Sequence, residues 1–197
     1  MKSYSQCGQD LFVHYLNEGK SGKFLDLGCS LPMKLNNTYL LELNGWDGIS
    51  LDIQNFNTQW EQRKCKFIQA DCLNQNYNEL LKDYYDDKVI DYLTLDMEGC
   101  GDRYKFLQKI IESDYTFKII TIEHDAYLGD NFITKEQIPQ RELLKSKGYQ
   151  LICSDVSHAK NPNYFLKIGG STLNIFKSLT LCLGAAIKLA VIKFLKD

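Results

Sequence analysis

The chain has 197 residues, enough for one α/β domain with a buried sheet and too few for two. Its usage is that of a globular protein, 44% hydrophobic, 24% charged and 12% aromatic, which excludes global disorder. A formal net charge of -2 provides no cationic field to collect phosphates, so nucleic acid is not expected as a substrate or partner.

The first residues carry Gln, Asp and Asn where a secretory signal needs an unbroken apolar stretch, and a cytoplasmic location is expected. Helical spacing over 9–17 precedes a first apolar strand over 23–27. Further strands are predicted over 48–52, 65–69, 90–95, 118–123 and 149–154, with another over 164–168. Helices are predicted over 37–44, 75–83, 102–113 and 134–147, the last stopped by Gly148. Apolar strands alternating with helices are the pattern of βαβ units, so the predicted fold is Rossmann-like α/β, a mostly parallel sheet with helices on both faces.

From residue 171 to 197 the composition changes to a strongly apolar stretch punctuated by Lys177, Lys188, Lys193 and Lys196. This predicts a domain over 1–170 followed by an apolar C-terminal helical tail over 171–197. The tail would dock on the domain, pair two copies as a homodimer, or lie on a membrane surface with its lysines snorkelling. Its lysines interrupt a transmembrane span. The seven cysteines stand singly with no C-x-x-C pair, which reads as packed thiols and gives no zinc site.

The first strand turns on Phe24-Leu25-Asp26-Leu27-Gly28-Cys29-Ser30. In open α/β sheets this turn at the carboxyl end of the strand is the usual ligand site. A dinucleotide's pyrophosphate wants G-x-G-x-x-G there, and the second and third glycines are absent after Gly28. A phosphate-free nucleoside with a cationic amino-acid end suits the turn better, and S-adenosylmethionine is such a ligand: Asp26 would meet its ammonium while its adenosine lies over Gly28. Asp52, ending the second strand, is placed to accept from both ribose hydroxyls. Asp71, with Cys72 beside it, follows the third strand, where it would accept from the adenine amine. The fourth and fifth strands run into Asp96-Met97-Glu98 and Glu123-His124 at the same sheet edge. Methyl transfer to an alcohol needs alignment and one positioned base, for which His124, Asp96 and Glu98 are candidates. Asp96 also counts among the cofactor contacts, and Glu98 and Glu123 would hold acceptor hydroxyls. A metal held by these acids is the weaker reading, and none is assigned.

Taken together, Tyr4-Ser5-Gln6-Cys7-Gly8-Gln9-Asp10, Phe24-Leu25-Asp26-Leu27-Gly28, the run from Asn37 through Gly45-Trp46-Asp47-Gly48-Ile49, Ile90 to Gly99 and Ile122-Glu123-His124 resemble the FkbM-type methyltransferases. That family is a branch of the class I S-adenosylmethionine-dependent enzymes, and the likeness covers roughly residues 4 to 156. The resemblance implies a class I fold with an antiparallel final strand, and O-methylation of a small-molecule or glycan acceptor, a sugar or natural-product hydroxyl. It also implies a role for Gln6, Gly8 and Asp10 near the methionine end of the cofactor. The turn Gly28-Cys29-Ser30-Leu31-Pro32 departs from the smaller turn common in that family, as does the sequence after Pro162. Alternatives are transfer to nitrogen or carboxylate, or a cofactor-binding module without turnover, held to a membrane or partner by its tail.

Overall fold

Alternation along the strands sorts side chains onto two faces of the sheet, and both are covered. In β1 (Lys23–Leu27) Phe24 and Asp26 point one way, Leu25 and Leu27 the other, and all four are buried. In β4 (Val89–Leu95) Tyr92 and Thr94 share the first face, Leu93 and Leu95 the second. The computed structural model describes residues 1–97, 103–156 and 188–192. Over these the chain runs α1 (Gln9–Leu16), β1, α2 (Tyr39–Leu43), β2 (Asp47–Asp52), α3 (Asn57–Trp60), β3 (Lys66–Gln69), α4 (Tyr77–Lys82), β4, α5 (Arg103–Ile111) and β5 (Thr116–Glu123). A helix then begins at α6 (Asp130–Phe132), passes through a π turn at Ile133–Gln137 and continues as α7 (Ile138–Ser146), ahead of β6 (Gln150–Val156) and β7 (Lys188–Ile192).

The strands stand in the order β3-β2-β1-β4-β5-β7-β6, the first five parallel and β7 antiparallel to both neighbours. This is the predicted Rossmann-like sheet. Phe12 and Val13 of α1 and Leu41 of α2 pack with Phe24, Trp46 and Tyr92 on the first face. Leu81 of α4, Phe106, Leu107 and Ile110 of α5, and Leu144 of α7 pack with Leu25, Ile49, Leu93 and Ile120 on the second. Burial of this order, at roughly 25 cal/mol per Å² of apolar surface, is what holds helices of only five to nine residues in place.

The tail needs a correction. Five of its residues, Lys188–Ile192, form a strand rather than a helix, pairing Ile119 with Ile192 and Glu123 with Lys188. The run from Leu189 to Ile192 is apolar at every position, which fits a strand as well as a helix, and periodicity cannot separate the two. Pairing decides it, because β5 would otherwise expose an apolar edge. The antiparallel final strand thus comes from the tail. The strand predicted over 164–168 and the rest of 171–197 lie outside the described residues. Among the described residues no helix is long and apolar enough to cross a membrane.

Candidate functional site

Between β1 and β4 the chain reverses its direction of travel across the sheet, with β2 and β3 laid to one side and β5 to the other. The connections leave on opposite faces there, opening a crevice at the carboxyl ends of the strands. A cleft of about 410 Å³ occupies this position, within the roughly 300–1,000 Å³ of small-molecule sites. Gln6, Asp26, Gly28, Asp52, Asp71, Cys72 and Asp96 all line it. Gly28 sits at φ 78°, and a Cβ there would lie 2.3 Å from the carbonyl oxygen of Asp96, so the turn passes under the end of β4 only because the side chain is absent.

Toward β2 and β3 the lining suits a nucleoside. Asp52 accepts from Ser30 N at 2.9 Å and Gln54 N at 2.9 Å, which fixes its carboxylate while a second lone pair remains on each oxygen. Ile53 beside it is 65% exposed, and Leu31 and Leu35, also exposed, add apolar surface to the lining. Asp71 caps a 3₁₀ turn over Cys72–Asn74 through Leu73 N at 2.9 Å and Asn74 Nδ2 at 2.6 Å, so it shapes this end of the cleft as well as lining it. Cys72 is buried and its thiol is pushed up to about 12 by desolvation, with Gly28 N–H drawing it down and the nearby aspartates adding, so it packs as a neutral wall.

Toward β1 and β4 the lining is acidic. Asp26, Thr94 and Asp96 share the face that carries α2, as the alternation of β1 and β4 requires. Asp26 is wholly buried and accepts from Thr38 Oγ1 at 2.9 Å. Burial raises its pKa from 3.8 to about 7, against the pull of Thr38 and Arg63, with Asp96 and Asp52 adding to the rise. Asn37 at the start of α2 donates through Nδ2 to Thr94 Oγ1 and to Asp96 Oδ2, both at 3.0 Å.

The long turn over 29–38 is held from behind by buried Arg63. Its guanidinium donates to Pro32 O, to Asn36 Oδ1 at 3.1 Å, to Thr38 Oγ1 at 3.2 Å and to Glu42 Oε1 at 3.0 Å. It also lies 4.8 Å from the Trp60 ring, whose Nε1 donates to Ser30 O at 2.8 Å. Asn36 Oδ1 accepts from Thr38 N and Tyr39 N and starts α2. This clamp gives the atypical turn a fixed shape.

The N-terminal residues divide. Gln6 reaches the cleft, whereas Gly8 and Asp10 are not among its lining. Gly8, at φ 77°, turns the chain into α1. Asp10 is wholly buried and accepts from Ser3 Oγ at 2.6 Å, Tyr4 N at 2.7 Å, Ser5 Oγ at 2.8 Å and Leu11 N at 2.8 Å. It therefore pins the strap carrying Gln6, and the strap rests on the turn before α2 through Asn36 N to Tyr4 O at 3.0 Å and on α2 through an edge-to-face contact of Tyr4 with Tyr39 at 4.7 Å.

At the end of β5 neither residue of the predicted pair is among the lining of this cleft. Glu123 accepts from Arg103 Nη2 at 3.4 Å, and Asp125 takes the same nitrogen at 2.6 Å. Arg103 Nε donates to Met97 O at 2.9 Å, so this buried cation ties a cleft-lining residue to the loop after β5. His124 is fully buried, with Nδ1 accepting from Ala126 N at 3.1 Å and Nε2 3.5 Å from Gln137 Nε2. A general base needs an accessible lone pair, and that of Nδ1 is engaged. Glu98 lies outside the described residues. No group of three His, Cys, Asp or Glu side chains able to hold a metal occurs among the described residues. Sequence reasoning missed Asn37, Thr38, Arg63 and Arg103. Asn36-Asn37-Thr38 carried a helix-start signal, and Arg63 and Arg103 carried none beyond charge.

No protein-family model matches the chain. No curated protein matches it either. Solved structures do. A DUF574 family protein from Streptomyces avermitilis superposes with a TM-score of 0.57 at 14% identity, over 94% of this chain and 81% of that one. A TehB-like SAM-dependent methyltransferase from Corynebacterium glutamicum gives 0.54 at 14%, over 94% and 86%. A Staphylococcus aureus protein described as a candidate caffeoyl-CoA O-methyltransferase gives 0.54 at 15%, over 98% and 86%. At such identities the likeness establishes the fold alone, a Rossmann-like sheet shared with these proteins.

Proposed function

We propose that the chain is an S-adenosylmethionine-dependent methyltransferase of the FkbM type, acting on a hydroxyl of a sugar or another small natural product. The observation that carries this reading is the polarity of the cleft. Asp26 and Asp96 stand at one end and Asp52, Ile53 and Asp71 at the other, on a turn with a single glycine. That is a place for a cation at the β1–β4 end and an uncharged nucleoside at the β2–β3 end, with no room made for a pyrophosphate. A buried acceptor at the acidic end, Asn37 Oδ1, has no hydrogen-bond partner among the described residues, which fits a ligand bearing N–H donors there. The descriptions of two fold neighbours, a SAM-dependent methyltransferase and an O-methyltransferase, support the same chemistry.

Asp52 would hold the ribose hydroxyls, Ile53 the adenine face, Asp71 its amine, and Asp26 with Gln6 the amino-acid end. The cofactor, when bound, supplies a methyl on a strongly electrophilic sulfonium. The chain's work is then to align the acceptor and to receive one proton. Asp96 lines the cleft and accepts from Asn37, which supports the reading that it takes that proton. His124 and Glu123 act behind it, in the packing of the β5 end.

Purified protein incubated with labelled S-adenosylmethionine and panels of glycans, small alcohols, amines and carboxylic acids tests the reading. Methyl transfer to a hydroxyl is expected. Transfer confined to amines or carboxylates would overturn the oxygen assignment and leave the cofactor assignment standing, and cofactor binding without turnover on any panel would favour a non-catalytic module.

A further inference from the structure

Asn37 is 4% exposed and lines the cleft, yet half of its amide is unsatisfied. Its orientation is set by its neighbours. Asp96, as a carboxylate, only accepts, so the nitrogen faces it, and the same nitrogen reaches Thr94 Oγ1. The carbonyl oxygen Oδ1 is thereby committed to the other side, where it is buried and has no partner among the described residues. A buried acceptor left without a donor costs on the order of 1–3 kcal/mol, and such groups are rare unless a ligand completes them. The surroundings say which kind of ligand. Thr38, the next residue, donates to Asp26 at 2.9 Å, and Nδ2 of Asn37 itself donates to Asp96, so two acids border the residue that carries the orphan oxygen. Such a place favours a cationic donor over a neutral one.

We propose that Asn37 is a ligand-recognition residue that accepts an N–H from the α-ammonium of the cofactor through Oδ1 while its Nδ2 holds Asp96 in position. This rests on the cofactor reading above. Within it, Asn37 distinguishes a ligand with a free amino-acid end from one that carries the nucleoside without it. Asp26 and Asp96 supply charge at this end, and Asn37 supplies direction, because an amide oxygen accepts along fixed lone pairs.

The test is a cycle of two ligands and three proteins read by calorimetry. S-adenosylhomocysteine and its analogue lacking the α-amino group are titrated into the wild type, Asn37→Ala and Asn37→Asp. In the wild type, removing the amino group is expected to weaken binding by about tenfold or more, the worth of one charge-assisted hydrogen bond. In Asn37→Ala the same removal should cost clearly less than in the wild type, since one of the amino group's partners is already gone while Asp26 remains. Asn37→Asp keeps an acceptor oxygen while losing the donor to Asp96, and should keep the wild-type factor. An equal factor in wild type and Asn37→Ala would overturn the assignment. So would an Asn37→Asp variant that behaves as alanine, because the residue would then act only through Asp96. Where the alanine variant does not fold, Asn37→Ser takes its place. A wild type that binds neither ligand refutes the cofactor reading itself, a result distinct from both.

Discussion

Asp26 makes the stability of this fold depend on pH in an unusual direction. Its carboxyl titrates at about 7 when folded, because burial penalises the anion, against 3.8 when solvated. Below pH 3.8 both states are protonated and the site costs nothing. As pH rises from 3.8 toward 7 the unfolded chain ionises and the folded one does not, so stability is lost until the folded group also titrates. The total is roughly 4 kcal/mol at about 1.4 kcal/mol per pH unit, of which about 2 kcal/mol falls between pH 5 and pH 7. Asp26→Asn removes the titration and keeps an acceptor for Thr38 Oγ1. Urea unfolding of both proteins at pH 5, 6, 7 and 8 reads the difference between them, which cancels every other titrating group. The wild type should lose roughly 2 kcal/mol relative to the variant between pH 5 and pH 7, with little further change by pH 8. A difference flat in pH, or one that grows in favour of the wild type, would refute the account of Asp26 as an acid held out of water.

Other substitutions test the supports of the cleft. Gly28→Ala places a methyl 2.3 Å from the Asp96 carbonyl oxygen at φ 78°, and should destabilise the fold by about 3 kcal/mol in urea unfolding. Arg103→Met leaves Glu123 and Asp125 buried without their guanidinium, and a loss of about 3–5 kcal/mol in the same assay is expected. Asp10→Ala frees the strap over 3–6, so limited proteolysis should cut the N-terminal residues faster than in the wild type while the sheet stays resistant. Unchanged cleavage would show that the strap is held by Tyr4 and Asn36 alone.

The order of apolar runs made the sheet legible, and the strand from 23 to 27 agrees at both ends because Gly28 stops it by geometry that sequence displays. Asp26, Asp52, Asp71 and Asp96 were legible for the same reason, as each ends or follows a strand whose carboxyl end must meet the cleft. His124 was singled out for its intrinsic pKa, and the contact that holds it, a backbone N–H from Ala126 to Nδ1, comes from the turn after β5, which no local pattern displays. Gln6, Gly8 and Asp10 came together from the resemblance, and the sequence does not display that Gln6 lines the cleft while Asp10 holds the strap that carries it. Arg63 was invisible because its partners at 32, 36, 38 and 42 come from the turn before α2 and from α2 itself, more than twenty residues away, a long-range meeting without a local pattern. The strand at Lys188–Ile192 was hidden by the unbroken apolar run from Leu189 to Ile192, which suits a helix and a strand equally.

The central claim is that this cleft holds an adenosyl cofactor in the orientation set by its acids. Titration of the purified protein with S-adenosylhomocysteine, alongside Asp52→Ala, tests it most directly. The account predicts a dissociation constant below about 1 mM for the wild type and a weakening of about tenfold or more in the variant, with both proteins folded. A folded wild type that does not bind, or one that binds equally well without Asp52, would contradict it.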